Sequence, residues 1–136
     1  MPKHLAFLVA ISALALCGCT SLSHLEQREY KSLEFQGVSL QHPAGNYTPP
    51  NNAILAGALN LFPGFGNFYL AVGKGSDGTH AVYGVVNLLF WPLSIIWSVP
   101  EAAYDAIQLN KSDMLYFYRY APEGKKALEE LGIHLE

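Results

Sequence analysis

The sequence predicts a mainly α fold: a hydrophobic helical hairpin, membrane-embedded or membrane-associated. A flexible N-terminal tether precedes it and short amphipathic C-terminal helices follow. Three observations predict this. No Asp, Glu, Lys or Arg occurs from Phe35 to Gly73 or from Gly78 to Pro100, whereas a water-facing domain needs charge on most of its elements. Each run contains an apolar stretch of about 20 residues, roughly 30 Å if helical, which matches a bilayer's hydrocarbon. A glycine-rich loop, "GKGSDGT", lies between the two stretches and suits a tight reversal.

The boundaries read as residues 1–18 signal peptide, 19–52 lipidated N-terminus and tether, 53–106 hairpin and 107–136 amphipathic tail. In "MPKHLAFLVAISALALCGCT", Lys3 is a short basic start and Leu5 to Leu16 an apolar core too short to span a bilayer. "LCGC" (Leu16, Cys17, Gly18, Cys19) resembles the bacterial lipobox. Cleavage is expected between Gly18 and Cys19, with Cys19 carrying diacylglycerol and acyl (palmitate) groups as the membrane-lipid anchor. Cys17 fits less well, because bulky Leu16 occupies the small-residue slot. Thr20 and Ser21 follow in place of the Asp that favours inner-membrane retention. A periplasm-facing, outer-membrane location in a bacterial envelope is therefore expected. Cleavage leaves one modified cysteine and no disulfide.

Within the tether, "SHLEQREYKSLEF" suits a short helix with Ser23 as N-cap, and "HPAGNYTPPNN" breaks regular structure. The hairpin's segments are "AILAGALNLFPGFGNFYLAV" (Ala53 to Val72) and "HAVYGVVNLLFWPLSIIWSV" (His80 to Val99). In the first, Gly57, Asn60, Gly64 and Asn67 recur at three-and-four spacing; in the second, His80, Asn87 and Ser94 are seven apart. Gly57 and Asn60, like Gly84 and Asn87, stand in a shared G-x-x-N-L pattern. Small residues let backbones approach closely and Asn bonds across helices, so Gly57, Asn60, Gly64, Asn67, Gly84 and Asn87 are the expected helix-packing residues. Pro63 and Pro92 should kink or break the helices, the first at "FPGFG". Beyond Glu101 a mildly amphipathic stretch should end near Asn110, a helix opened by Ser112 should carry "MLYFYRY", and Pro122 to Leu131 should form a last helix before Gly132.

"LFPGFGNFY" (Leu61 to Tyr69) and "VNLLFWPLSIIW" (Val86 to Trp97) resemble the hydrophobic segments of small, largely uncharacterised bacterial lipoproteins. "PGFGNFYLAVG" is more distantly similar to the TM2 family, although "GKGSDGT" lacks that family's turn motif. The resemblance implies location and architecture and no activity.

No catalytic apparatus is legible. Gly73 to Gly78 matches G-x-G-x-x-G, but the strand and βαβ unit that motif needs are missing. The histidines share no ligand spacing, and no nucleophile elbow occurs. Glu101 and Asp105, one turn apart, are the carboxylates on which an activity could rest. No cofactor or metal is expected, and a net charge of −3 with no basic patch argues against nucleic acid. The leading expectation is a non-enzymatic, lipid-anchored envelope lipoprotein with a structural or protein-interaction role, forming homo-oligomers or binding an envelope protein. The alternative is a periplasmic module that binds an apolar ligand or lipid, with the hairpin as core. Spanning the bilayer, lying in one leaflet and forming a core all remain open at this level.

Overall fold

The computed structural model describes residues 20–73 and 76–135. They form α1 (His24–Phe35), α2 (Ala53–Leu59), α3 (Phe65–Val72), α4 (Thr79–Leu89), α5 (Ile95–Tyr120) and α6 (Pro122–Glu129), with no strand among the described residues. The 26-residue α5 is the axis. It touches α1, α2, α3 and α6, and α4 packs on α3.

The expected hairpin is corrected. No described helix is long and apolar enough to cross a membrane, because the turns divide both apolar stretches. Asn60 closes α2 and Gly64 opens α3 in the left-handed region, at φ +87°. The second stretch stops at Leu89, and its remainder opens α5, which continues past Pro100 into the charged residues beyond. The helix end expected near Asn110 does not occur. Without glycine or proline from Glu101 to Tyr120, nothing interrupts the ladder, and Ser112 donates to Glu26 Oε1 on α1 at 2.8 Å instead of capping a new helix. Thus "MLYFYRY" belongs to α5, not to a separate short helix. Only α6, with Pro122 in its first turn, stands alone at the C-terminus.

The flexible tether is corrected too. Ser23 caps α1 in a capping box with Glu26, which satisfies two otherwise unpaired N–H groups. Tyr30 and Leu33 of α1, then Val38, Ala44 and Tyr47 from the following loop, are buried with Met114, Leu115 and Tyr118 of α5 and Leu128 of α6. The loop is fastened by side chains. Ala44 N–H donates to the Tyr118 hydroxyl at 2.7 Å, and that hydroxyl lies 3.1 Å from Ala44 O. Asn110 accepts from Asn51 N–H at 2.9 Å and donates to Asn51 O at 2.7 Å. The Tyr47 hydroxyl donates to the Asn110 carbonyl at 2.9 Å. Proline-rich and glycine-containing sequence is here ordered loop, because its apolar side chains have a core to enter.

Candidate functional site

The other half of the molecule, formed by α2, α3, α4 and the first turns of α5, is built inside out. Asn60, Asn67, His80, Asn87, Ser94, Ser98 and Asp105 are buried, and large apolar side chains face outward. Ile54, Ile96 and Leu89 are 85%, 78% and 74% exposed, and Phe62, Trp91 and Leu93 are mostly exposed as well. This half is called the cap below. Its cluster of buried apolar side chains is small: Ala56 and Leu70 against Ala102, Ala106 and Leu109 of α5.

Three asparagines tie the cap together. Asn60 Nδ2 donates to Asn67 Oδ1 and to the Ser98 carbonyl, both at 2.7 Å. Asn60 Oδ1 accepts Gly66 N–H at 2.7 Å at the start of α3, where the N-cap residue, Gly64, has no side chain to do so. Asn87 Nδ2 reaches Asn67 Oδ1 at 3.0 Å from α4. Its Oδ1 accepts Trp97 Nε1 at 3.0 Å, and its carbonyl accepts the Ser94 hydroxyl at 2.6 Å. A buried amide costs several kcal/mol unless bonded, so each asparagine ties its neighbours to one arrangement.

Glycines set the spacing. A Cβ on Gly64 would lie 2.2 Å from Gly84 O, one on Gly84 would enter the Phe68 ring at 2.6 Å, and one on Gly57 would meet Val99 O at 3.2 Å. The structure therefore brings Gly57, Asn60, Gly64, Asn67, Gly84 and Asn87 to the internal seams of one cap. Gly66, whose Cβ would lie 2.1 Å from Ala56 O, belongs with them. It escaped the sequence reading because it falls outside the three-and-four series, although "GFG" hinted at a close approach. Gly18 and Cys19, and with them the cleavage and lipidation expected there, lie outside the described residues, as does the signal peptide.

A second polar cluster, which the sequence reading did not assemble, joins Thr20, His80 and Asp105. Thr20 N–H donates to Asp105 Oδ1 at 2.7 Å, and the Thr20 hydroxyl lies 3.0 Å from His80 Nε2. His80 and Asp105 are fully buried. Burial pushes the Asp105 carboxyl up to about 7 against the Thr20 bond that lowers it, with Glu101 and Asp77 adding to the rise. Burial holds His80 below its ordinary value, opposed by Asp77. Glu101 is raised by burial and moderated by a bond with Asn87. Glu101 and Asp105 thus do not form an open carboxylate pair facing water: Asp105 is shut inside. No group of three or more His, Cys, Asp or Glu able to hold a metal exists among the described residues.

The fold and this interior define a class: a helical bundle, six helices among the described residues, with one apolar-cored half and one polar-cored, apolar-surfaced cap. Comparison with known protein families, curated proteins and solved structures finds no match. The expectation of an envelope lipoprotein with a membrane-embedded hairpin is corrected by the same geometry. The segment expected to embed is a packed cap, and no described helix is long and apolar enough to cross a membrane.

Proposed function

We propose that this chain is a non-enzymatic assembly module that pairs with a second copy of itself through the outer face of the cap. The observation that carries this reading is the inversion. The cap hides its amides and leaves Leu, Ile, Phe and Trp uncovered, and extended exposed apolar surface marks an interaction face. Charge supports a like partner. Each chain carries −3 overall, yet no charged residue occurs from Phe35 to Gly73 or Gly78 to Pro100, so two caps meet without like-charge repulsion. Two-fold pairing of one patch with itself is the commonest way such a face is closed.

The turns favour protein over hydrocarbon as the covering phase. Irregular backbone at 60–64 and 90–94 lies beside exposed Leu61, Phe62, Trp91 and Leu93. Lipid-exposed irregular backbone does not occur within the hydrocarbon of a bilayer, whereas a protein face can cover it.

Sedimentation of the full chain in detergent-free buffer tests this. A dimer is expected, and Leu89→Glu with Ile96→Glu is expected to return it to monomer without loss of helix content. A monomeric wild type overturns the reading, whether it floats with phosphatidylethanolamine/phosphatidylglycerol vesicles or stays free of them. So does a dimer that survives both charges.

A further inference from the structure

Helices α1 and α5 face each other across a cleft that the pairing face leaves alone. On α5, Tyr104, Gln108 and Lys111 stand at i, i+4 and i+7, and on α1, Gln27, Lys31 and Glu34 repeat that spacing. Each set therefore lies on one side of its helix. The two sides line a cavity of about 250 Å³, below the roughly 300 Å³ at which drug-sized sites begin. It suits a small molecule.

Polar groups at this cavity stand without partners. Gln108 is only 7% exposed and makes no hydrogen bond among the described residues. Its amide atoms are not among the sealed polar atoms, so they open on the cavity. An unbonded, nearly buried amide is costly, and a ligand that bonds it offsets the cost. The amide across the cleft is already bonded, Gln27 Nε2 donating to Leu22 O at 3.0 Å. Lys111 Nζ lies 4.7 Å from the centre of the Tyr30 ring, whose hydroxyl accepts Leu40 N–H at 3.2 Å. That ring holds the ammonium at the cleft without neutralising it. Neither Lys111 nor Lys31 has an acid within ion-pair distance among the described residues. Two unpaired cations thus stand against one acid, Glu34, in a chain of net charge −3.

This set of groups selects a ligand chemistry. Two lysines match a phosphate monoester, which is close to doubly charged at neutral pH, better than they match a single carboxylate. Phosphate oxygens accept, so Gln108 Oε1 and the Glu34 carboxylate call for hydroxyl donors on the same molecule. We propose that the α1–α5 cleft binds a small phosphorylated polyol, its phosphate on Lys31 and Lys111 and its hydroxyls on Gln108 and Glu34.

Titration of the isotope-labelled full chain with α-glycerol phosphate at neutral pH, followed by NMR at the backbone amides of residues 104–111, tests the site. A saturable shift is expected. Lys111→Gln and Gln108→Met should each weaken binding about tenfold, with helix content and sedimentation unchanged. Sulfate, a dianion without hydroxyls, should bind about tenfold more weakly than glycerol phosphate. No saturable shift by about 10 mM overturns the site, and that result needs no variant to fold. Equal affinity for sulfate, binding to phosphatidylglycerol vesicles alone, or undiminished binding by the two folded variants overturns it as well.

Discussion

Helix α5 runs through two halves that solve the packing problem in opposite ways. Around its C-terminal part, Leu33, Met114, Tyr118 and Leu128 fill an apolar core, and Arg28, Lys31 and Glu34 of α1 and Glu123, Lys125, Lys126 and Glu129 of α6 are exposed. Around its N-terminal part, amides and backbone carbonyls fill the interior and the aliphatic side chains point away. In the first half, removal of apolar surface from water drives assembly, and the fit of individual contacts refines it. In the cap little apolar surface is removed. Its order rests on hydrogen bonds that have no alternative partners and on backbones brought together at glycine. A hydrogen-bonded interior specifies geometry more sharply than it stabilises, since the net contribution of each bond is only about 1 kcal/mol.

The contrast breaks most severely where two backbones touch. Gly64→Ala places a Cβ 2.2 Å from Gly84 O at a φ of +87°, and urea unfolding should show a loss of about 4 kcal/mol, with exchange protection lost in α3 and α4 first. In the apolar half the comparable lesion is a cavity. Leu33→Ala empties a fully buried site and should cost about 3 kcal/mol, with the cap's amides unaffected until global unfolding.

The pH dependence of stability sharpens the comparison, because the titrating groups sit in the cap. Asp105 is raised in the folded chain from 3.8 to about 7, so its contribution is complete below 3.8 and is lost as pH rises through about 7. His80 runs the other way: lowered from 6.5, it contributes fully above 6.5 and loses that contribution as pH falls through its folded value. Urea titrations should therefore show wild type losing roughly 2 kcal/mol between pH 5 and pH 8, and Asp105→Asn losing much less. The smallest effect is the most telling. Leu89→Gln, on the outer face, should change monomer stability by less than about 0.5 kcal/mol, as expected of a side chain that is 74% exposed, and should still weaken self-association in sedimentation.

Much of the cap was legible in the sequence. Pro63 and Gly64 marked the break between α2 and α3, and the spacing of Gly57, Asn60 and Asn67 placed the small and amide residues on one side of their segments. What those residues face was not legible. A helix with an apolar surface and an amide stripe reads identically whether lipid, water or protein lies outside, because periodicity reports which residues share a side and not what covers it. The Thr20–His80–Asp105 cluster was invisible for a different reason: its members lie 60 and 85 positions from Thr20. The ordered N-terminal stretch did leave a sign. Tyr30 and Leu33 are one turn apart on α1, an apolar pair with a partner face in Met114, Leu115 and Tyr118.

By itself the sequence determined the mainly helical character, the breaks at glycine and proline, the capping box at Ser23 and the absence of charge over two long runs. Each is a local property of backbone freedom or side-chain type. Only the tertiary structure decided that the pieces of the apolar runs pack on one another as a cap, that α5 continues unbroken to Tyr120, and that residues 20–52 pack instead of trailing. Those outcomes depend on which distant side chains satisfy a freed carbonyl or fill a buried volume. Asn60 does so at Gly66 of α3 and at the Ser98 carbonyl, and Asn110 at Asn51, through contacts that no local pattern encodes.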